Sequence, residues 1–89
     1  MSLGKYLVAF IGTFIFLSVI LKTGEAIPIG VALATVIFFG GKISGGNFNP
    51  AVSIMMYMKG DLKGEDLPGY IIAQILGGLA ALSFHKMIK

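Results

Sequence analysis

Long apolar runs separated by short polar turns set the strongest limit on what this chain can fold into. The first run, residues 3–21, is interrupted only by Lys5, and its nineteen positions would reach about 28 Å as a helix, close to the hydrocarbon thickness of a bilayer. It reads as a membrane span. A secretory signal peptide is the rival reading, with Lys5 as its basic start. The run, however, exceeds the usual apolar length of about 7 to 15 residues, and no small-x-small cleavage site follows it. After the turn Lys22-Thr23-Gly24-Glu25, Pro28 falls where the first turn of a helix needs no N–H donor. The second run, 27–41, is expected to be a span although it is short for one, and the third, 67–88, has Pro68 in its first turn.

Composition agrees with a membrane protein. Only 12% of the residues are charged, against about 25% in soluble domains. With no cysteine and one histidine, His85, neither disulfides, a structural zinc site nor thiol chemistry is available, and no cofactor or metal is implied. An enzyme is excluded in the same terms, because no nucleophile, base and orienting group can be assembled from His85 and four acids in loops. The net charge of +3 comes from lysines at the ends of apolar runs, which suits membrane flanks and not nucleic acid. No ionisable residue lies centrally in a span, which favours a passive channel over ion-coupled transport.

Between the second and third spans the pattern changes. The glycine-dense stretch from Gly40 to Asn47 is expected to end the helix and take irregular backbone. Asn49 and Pro50 then suit an N-cap and first helical residue, and Lys59-Gly60 a last turn and stop. These signals bracket a helix of about nine residues, about 13 Å long, which is half a bilayer. Residues 42–59 thus read as a re-entrant loop and half-helix. Such backbone is tolerated at membrane depth only where protein buries it or an aqueous cavity meets it. A half-helix starting at mid-membrane aims its positive dipole end and free N–H groups at the bilayer centre. The Asn49 side-chain oxygen would cap those groups and leave its NH₂ as a donor to a neutral solute. In the third span Gly69, Ala73, Gly77 and Ala81 recur every four residues, a packing face for a second helix.

The segment Ile43-Ser44-Gly45-Gly46-Asn47-Phe48-Asn49-Pro50-Ala51-Val52 resembles the first Asn-Pro-Ala loop of the aquaporin and aquaglyceroporin (major intrinsic protein) family. Phe10-Ile11-Gly12-Thr13-Phe14, Gly30-Val31-Ala32-Leu33-Ala34-Thr35 and Tyr70-Ile71-Ile72-Ala73-Gln74 with Gly77 agree. The resemblance covers nearly the whole chain as one unit, 1–89, but only half of a family member. It implies an all-α membrane protein with half of an aquaporin fold: three transmembrane helices plus the re-entrant loop and half-helix. It also implies a pore for water or small neutral solutes such as glycerol. Asn49, Pro50 and Ala51 would form the pore centre, and the carbonyls of Gly45, Gly46, Asn47 and Phe48 a ladder of acceptors leading to it. The selectivity constriction maps to Ile29, Ile37, Gly46 and Val52, an apolar set without the family's usual arginine, which favours glycerol alongside water. Ala9 stands where the family often has a loop-bracing glutamate and Asn47 where histidine is common, so bracing is expected from elsewhere, with Gln74 the candidate.

One half-helix cannot line a pore across about 30 Å. The expectation is therefore antiparallel dimerisation with a second copy, and, by resemblance, four such dimers together. Lysine placement permits insertion in both orientations. Lys5, Lys42, Lys59 and Lys63 lie on one side and Lys22, Lys86 and Lys89 on the other, almost without positive-inside bias. The alternatives are a non-conducting or heteromeric membrane subunit and a small dual-topology transporter.

Overall fold

The computed structural model describes residues 3–88. Its elements are α1 (Leu3–Thr23), α2 (Ala26–Ser44), α3 (Pro50–Lys59) and α4 (Leu67–Ile88). Helices α1, α2 and α4, of 21, 19 and 22 residues, are long and apolar enough to cross a membrane. The ten residues of α3 reach about 15 Å, half that distance. The described residues therefore form an all-helical membrane protein with the order span, span, half-helix, span.

The second span departs from the sequence expectation at its end. It does not stop at residue 41 but runs unbroken through Gly40 and Gly41 to Ser44, which gives it full bilayer-crossing length. The glycine at 40 serves close approach and not helix breaking. A Cβ there would lie 2.7 Å from Val8 Cγ1 and 3.2 Å from Phe48 Cζ. The helix is ended by Gly45, whose left-handed φ of 68° lets its N–H bond the Gly41 carbonyl.

Helix α1 packs against both α2 and α4, and α3 packs against α4. The α1–α4 seam is the small-residue stripe read in the sequence. A Cβ on Gly77 would stand 2.8 Å from the backbone oxygen of Phe10, and one on Gly69 would stand 2.5 Å from the Tyr6 ring. Ala73 and Ala81 are buried beside them. Contact this close gives the dispersion attraction that holds helices together in lipid, where the hydrophobic effect between them is absent. Large apolar residues such as Leu7, Ile27, Val31, Phe38 and Phe39 point outward instead, as a lipid-facing surface requires.

The ends of the molecule are sorted. At one, which we call the mouth, Lys5 Nζ and Tyr6 Oη both donate to Asp66 Oδ1, at 2.8 and 2.9 Å. This ties the start of α1 to the start of α4, and the Tyr6 and Tyr70 rings meet edge-on at 5.2 Å beside it. At the other end Lys22 and His85 line a common cleft. The lysines fall into the two groups read from the sequence, Lys89 lying outside the described residues.

Candidate functional site

Five residues, 45–49, carry the chain from α2 to the half-helix. Gly45 and Gly46 both take left-handed dihedrals, with φ of 68° and 79°, a conformation that residues with a Cβ rarely adopt. They turn the backbone into the protein, where the Phe48 N–H bonds the Gly46 carbonyl at 2.9 Å. Asn49 is extended and caps α3: its Oδ1 accepts from Ala51 N–H at 2.7 Å, and its carbonyl accepts from Ser53 N–H at 3.0 Å. Pro50 occupies the first turn, where a missing N–H costs nothing. With Oδ1 engaged by the backbone, the Asn49 NH₂ is the group turned outward, and Asn49, Pro50 and Ala51 are all exposed on the single chain.

The loop is held at three points. The Phe48 side chain, 3% exposed, lies in a notch between Gly12 of α1 and Gly40 of α2, where a Cβ on Gly12 would collide with the ring and one on Gly40 would press on it at 3.2 Å. Thr13 Oγ1 donates to the Phe48 carbonyl at 3.2 Å. Asn47 is fixed on all sides. Its Nδ2 donates to the Ser44 carbonyl at 2.6 Å, its Oδ1 accepts from Ser53 Oγ at 2.7 Å, and its carbonyl accepts from Gln74 Nε2 at 3.0 Å. Gln74 Nε2 also donates to Ser53 Oγ at 2.7 Å. Thr13, Ser44, Asn47, Ser53 and Gln74 are each at most 3% exposed, so a polar cluster in the apolar interior is almost wholly paired, as low-dielectric surroundings demand. Gln74 Oε1 is the buried acceptor left over.

These positions refine the sequence expectations. Of the four carbonyl residues, Gly45 is exposed and Gly46 half-buried, whereas Asn47 and Phe48 are buried and their carbonyls accept from Gln74 and Thr13. In the single chain those two carbonyls serve the loop's anchorage. Ile29 and Ile37 sit on α2, about 12 Å apart along its axis, with Ile37 exposed and Ile29, Gly46 and Val52 half-buried. One chain does not gather these four around a single opening. Gln74, the bracing candidate, does hold the loop through Asn47 and Ser53, whereas Thr13 and Ser53 are not singled out as functional in the sequence. Their signal was a hydroxyl or amide at a position that the helical pattern requires to be buried.

A cleft of about 310 Å³ adjoins Asn49 and Pro50 at the start of the half-helix. Thr13, Phe16 and Leu17 of α1 and Ile75, Gly78 and Leu79 of α4 form its walls, with Asn49 and Pro50 as part of its lining. At the mouth, the hydrogen bonds from Lys5 and then Tyr6 hold the Asp66 carboxyl below the usual carboxylate range. Among the described residues no group of His, Asp and Glu is placed to hold a metal ion.

The sequence model described as Major intrinsic protein matches residues 3–89. The chain belongs to the major intrinsic protein family. It is 44% identical over 92 residues to the glycerol uptake facilitator protein-like 6 of Lactiplantibacillus plantarum, an alignment covering 92% of this chain and 42% of that protein. It is 45% identical over 65 residues to aquaporin Z of Brucella melitensis, covering 73% of this chain and 28% of the relative. A third relative, aquaporin Z of Photorhabdus laumondii, is 37% identical over the same length. The chain thus spans less than half the length of these relatives. No solved structure matches it. As a major intrinsic protein with three apolar spans it is an integral membrane protein, and the Asn-Pro-Ala loop is the segment in which the polar chemistry of its interior converges.

Proposed function

We propose that this major intrinsic protein forms a passive channel for water and small neutral solutes such as glycerol, in the cell membrane, between two copies of opposite orientation. The observation that carries this reading is the cleft beside Pro50. It lies between α1 and α4 beside the start of the half-helix, and Asn49 and Pro50 form part of its lining. In this reading a second half-helix enters from the opposite side and ends at that cleft. The two Asn49-Pro50-Ala51 ends then meet at mid-membrane, and an inverted pair lines both halves of the path.

The Asn49 NH₂ groups are the donors for a solute oxygen at the pore centre, and the positive ends of the two half-helices oppose cations. Gly45 and Gly46 offer acceptors on the way in. Ile29 of one copy joins Ile37 of the other, with Gly46 and Val52, in a constriction that is apolar and without fixed charge. This favours passage of glycerol beside water. The even spread of lysines supports insertion both ways. Four such pairs together match the family's habit of assembly.

Liposomes containing only this protein, subjected to osmotic gradients of an impermeant solute and then of glycerol, test the reading. Swelling faster than protein-free liposomes in both is expected, and rates equal to theirs would sink it. Single cysteines placed at each end and labelled by an impermeant reagent are expected to react from both faces of the membrane. Labelling from one face only would exclude the antiparallel pair.

A further inference from the structure

The hydrogen-bonded cluster behind the loop has a direction. Asn47 Nδ2 must face the Ser44 carbonyl, which is an acceptor only. Oδ1 therefore faces Ser53, whose single hydroxyl proton is committed to it. Ser53 Oγ then has only a lone pair for Gln74, and the Asn47 carbonyl likewise only accepts, so both Gln74 Nε2 protons are required where they are. The amide orientations follow from this chain of necessity, since the reverse assignment would set acceptors against acceptors. Gln74 donates twice into the loop and receives nothing, which is why its Oε1 remains without a donor.

We infer that Gln74 is the positioning residue for the Asn49 donor: its NH₂ group, and not the volume it fills, holds Asn47 and Ser53, and through them the start of the half-helix, in the conducting arrangement. This deepens the channel reading above and rests on it for its flux measurement. Asn47 is two residues before Asn49, and Ser53 bonds the Asn49 carbonyl through its own N–H at 3.0 Å. Any displacement of either therefore moves the cap. Gln74 touches no solute in this scheme and acts only through those two residues.

The glutamate variant separates the amide from the volume. Gln74→Glu keeps the size but offers one O–H donor when neutral and none when ionised, and a buried carboxyl ionises only at raised pH. The titratable groups on the elements packed around Gln74 are Lys5 and Tyr6 of α1, Tyr57 and Lys59 of α3, and Tyr70 one turn away on α4, all toward the mouth. Lys22, His85 and Lys86 stand toward the far end. Among the described residues none of these is hydrogen-bonded to the cluster.

Water flux through Gln74→Glu in liposomes is expected to fall about tenfold between pH 6 and pH 9, the effect of one or two buried acceptors losing their donor. The unsubstituted protein should hold its rate over this range, and Gln74→Met should be low throughout. A flat, native-like profile for Gln74→Glu, or native flux through Gln74→Met, would overturn the assignment. Hydrogen exchange of the segment 44–53, taken as a ratio to the unsubstituted protein at the same pH, reads the same switch without conduction. It is expected to rise in Gln74→Glu on going to pH 9, and unchanged protection would overturn the assignment even in a non-conducting chain. Ser53→Ala provides a milder variant: faster exchange of 45–49 with α4 still protected supports the directional cluster, and native protection there counts against it.

Discussion

The ring of Phe48 occupies the space that any side chain on Gly12 would need. The loop is keyed into α1 by a residue that the helix must leave bare. Gly12→Ala is expected to lower stability by about 1 to 3 kcal/mol, the usual cost of overpacking a filled interior, although alanine is the better helix former. Gly4→Ala meets nothing within 4 Å and should be neutral or slightly stabilising. Thermal unfolding of both variants in the same detergent measures the difference, and equal midpoints would contradict the keyed arrangement.

The seam between α1 and α4 allows a comparison between neighbouring glycines. A Cβ on Gly77 meets the backbone oxygen of Phe10 at 2.8 Å, whereas one on Gly78 meets the flexible end of Leu17 at 3.1 Å. Backbone cannot step aside without moving the helix, but a leucine methyl can rotate. Gly77→Ala should therefore cost about 2 kcal/mol and Gly78→Ala distinctly less. A Gly78 variant as damaged as the Gly77 variant in thermal unfolding would show that the seam is not closest at Gly77.

The pair at the mouth gives a pH dependence. Lys5 and Tyr6 hold the Asp66 carboxyl below its ordinary value, which is about 3.9 in an unfolded chain. The stabilisation is complete above that ordinary value and is lost as pH falls through the lower, folded one. Unfolding midpoints measured from neutral pH downward should drop in the acid range, and Asp66→Asn should flatten that part of the curve. An identical acid limb in the variant would remove Asp66 from the account.

The proposed apolar constriction is tested by giving it a charge. Val52→Arg introduces a long cation at a half-buried position one residue past Asn49-Pro50-Ala51. Glycerol flux is expected to fall about tenfold, equivalent to about 1.4 kcal/mol on the barrier, with water flux falling less. Equal loss of both fluxes would mean that Val52 does not set the width of the path.

Much of this architecture could be read from residue order because membrane folding leaves few choices. Apolar length fixed the spans, and Asn49-Pro50 with Lys59-Gly60 fixed the half-helix to within a residue of Pro50–Lys59. The stripe Gly69-Ala73-Gly77-Ala81 located the α1–α4 seam. The end of α2 was misjudged because the effect of a glycine pair is ambiguous in sequence alone. Gly40 looks like a breaker until the Phe48 ring that rests on it is known. The polar cluster was less legible still. Gln74 was legible as a brace, but its partnership with Ser53 and that of Thr13 with the Phe48 carbonyl depend on how the helices cross, a tertiary fact that no local pattern contains.

Because α2 continues to Ser44, the chain has only five residues with which to descend to the half-helix. At full extension five residues reach at most about 17 Å, and the ten-residue α3 climbs back about 15 Å. Gly45 and Gly46 turn the backbone, so the five residues cover less than that limit and tether Asn49 close to the end of α2. The depth of Asn49 is set by chain length as much as by bonding. A single residue inserted into or removed from 45–49 would shift the start of the half-helix by up to about 3.5 Å, about the length of the hydrogen bonds that hold it.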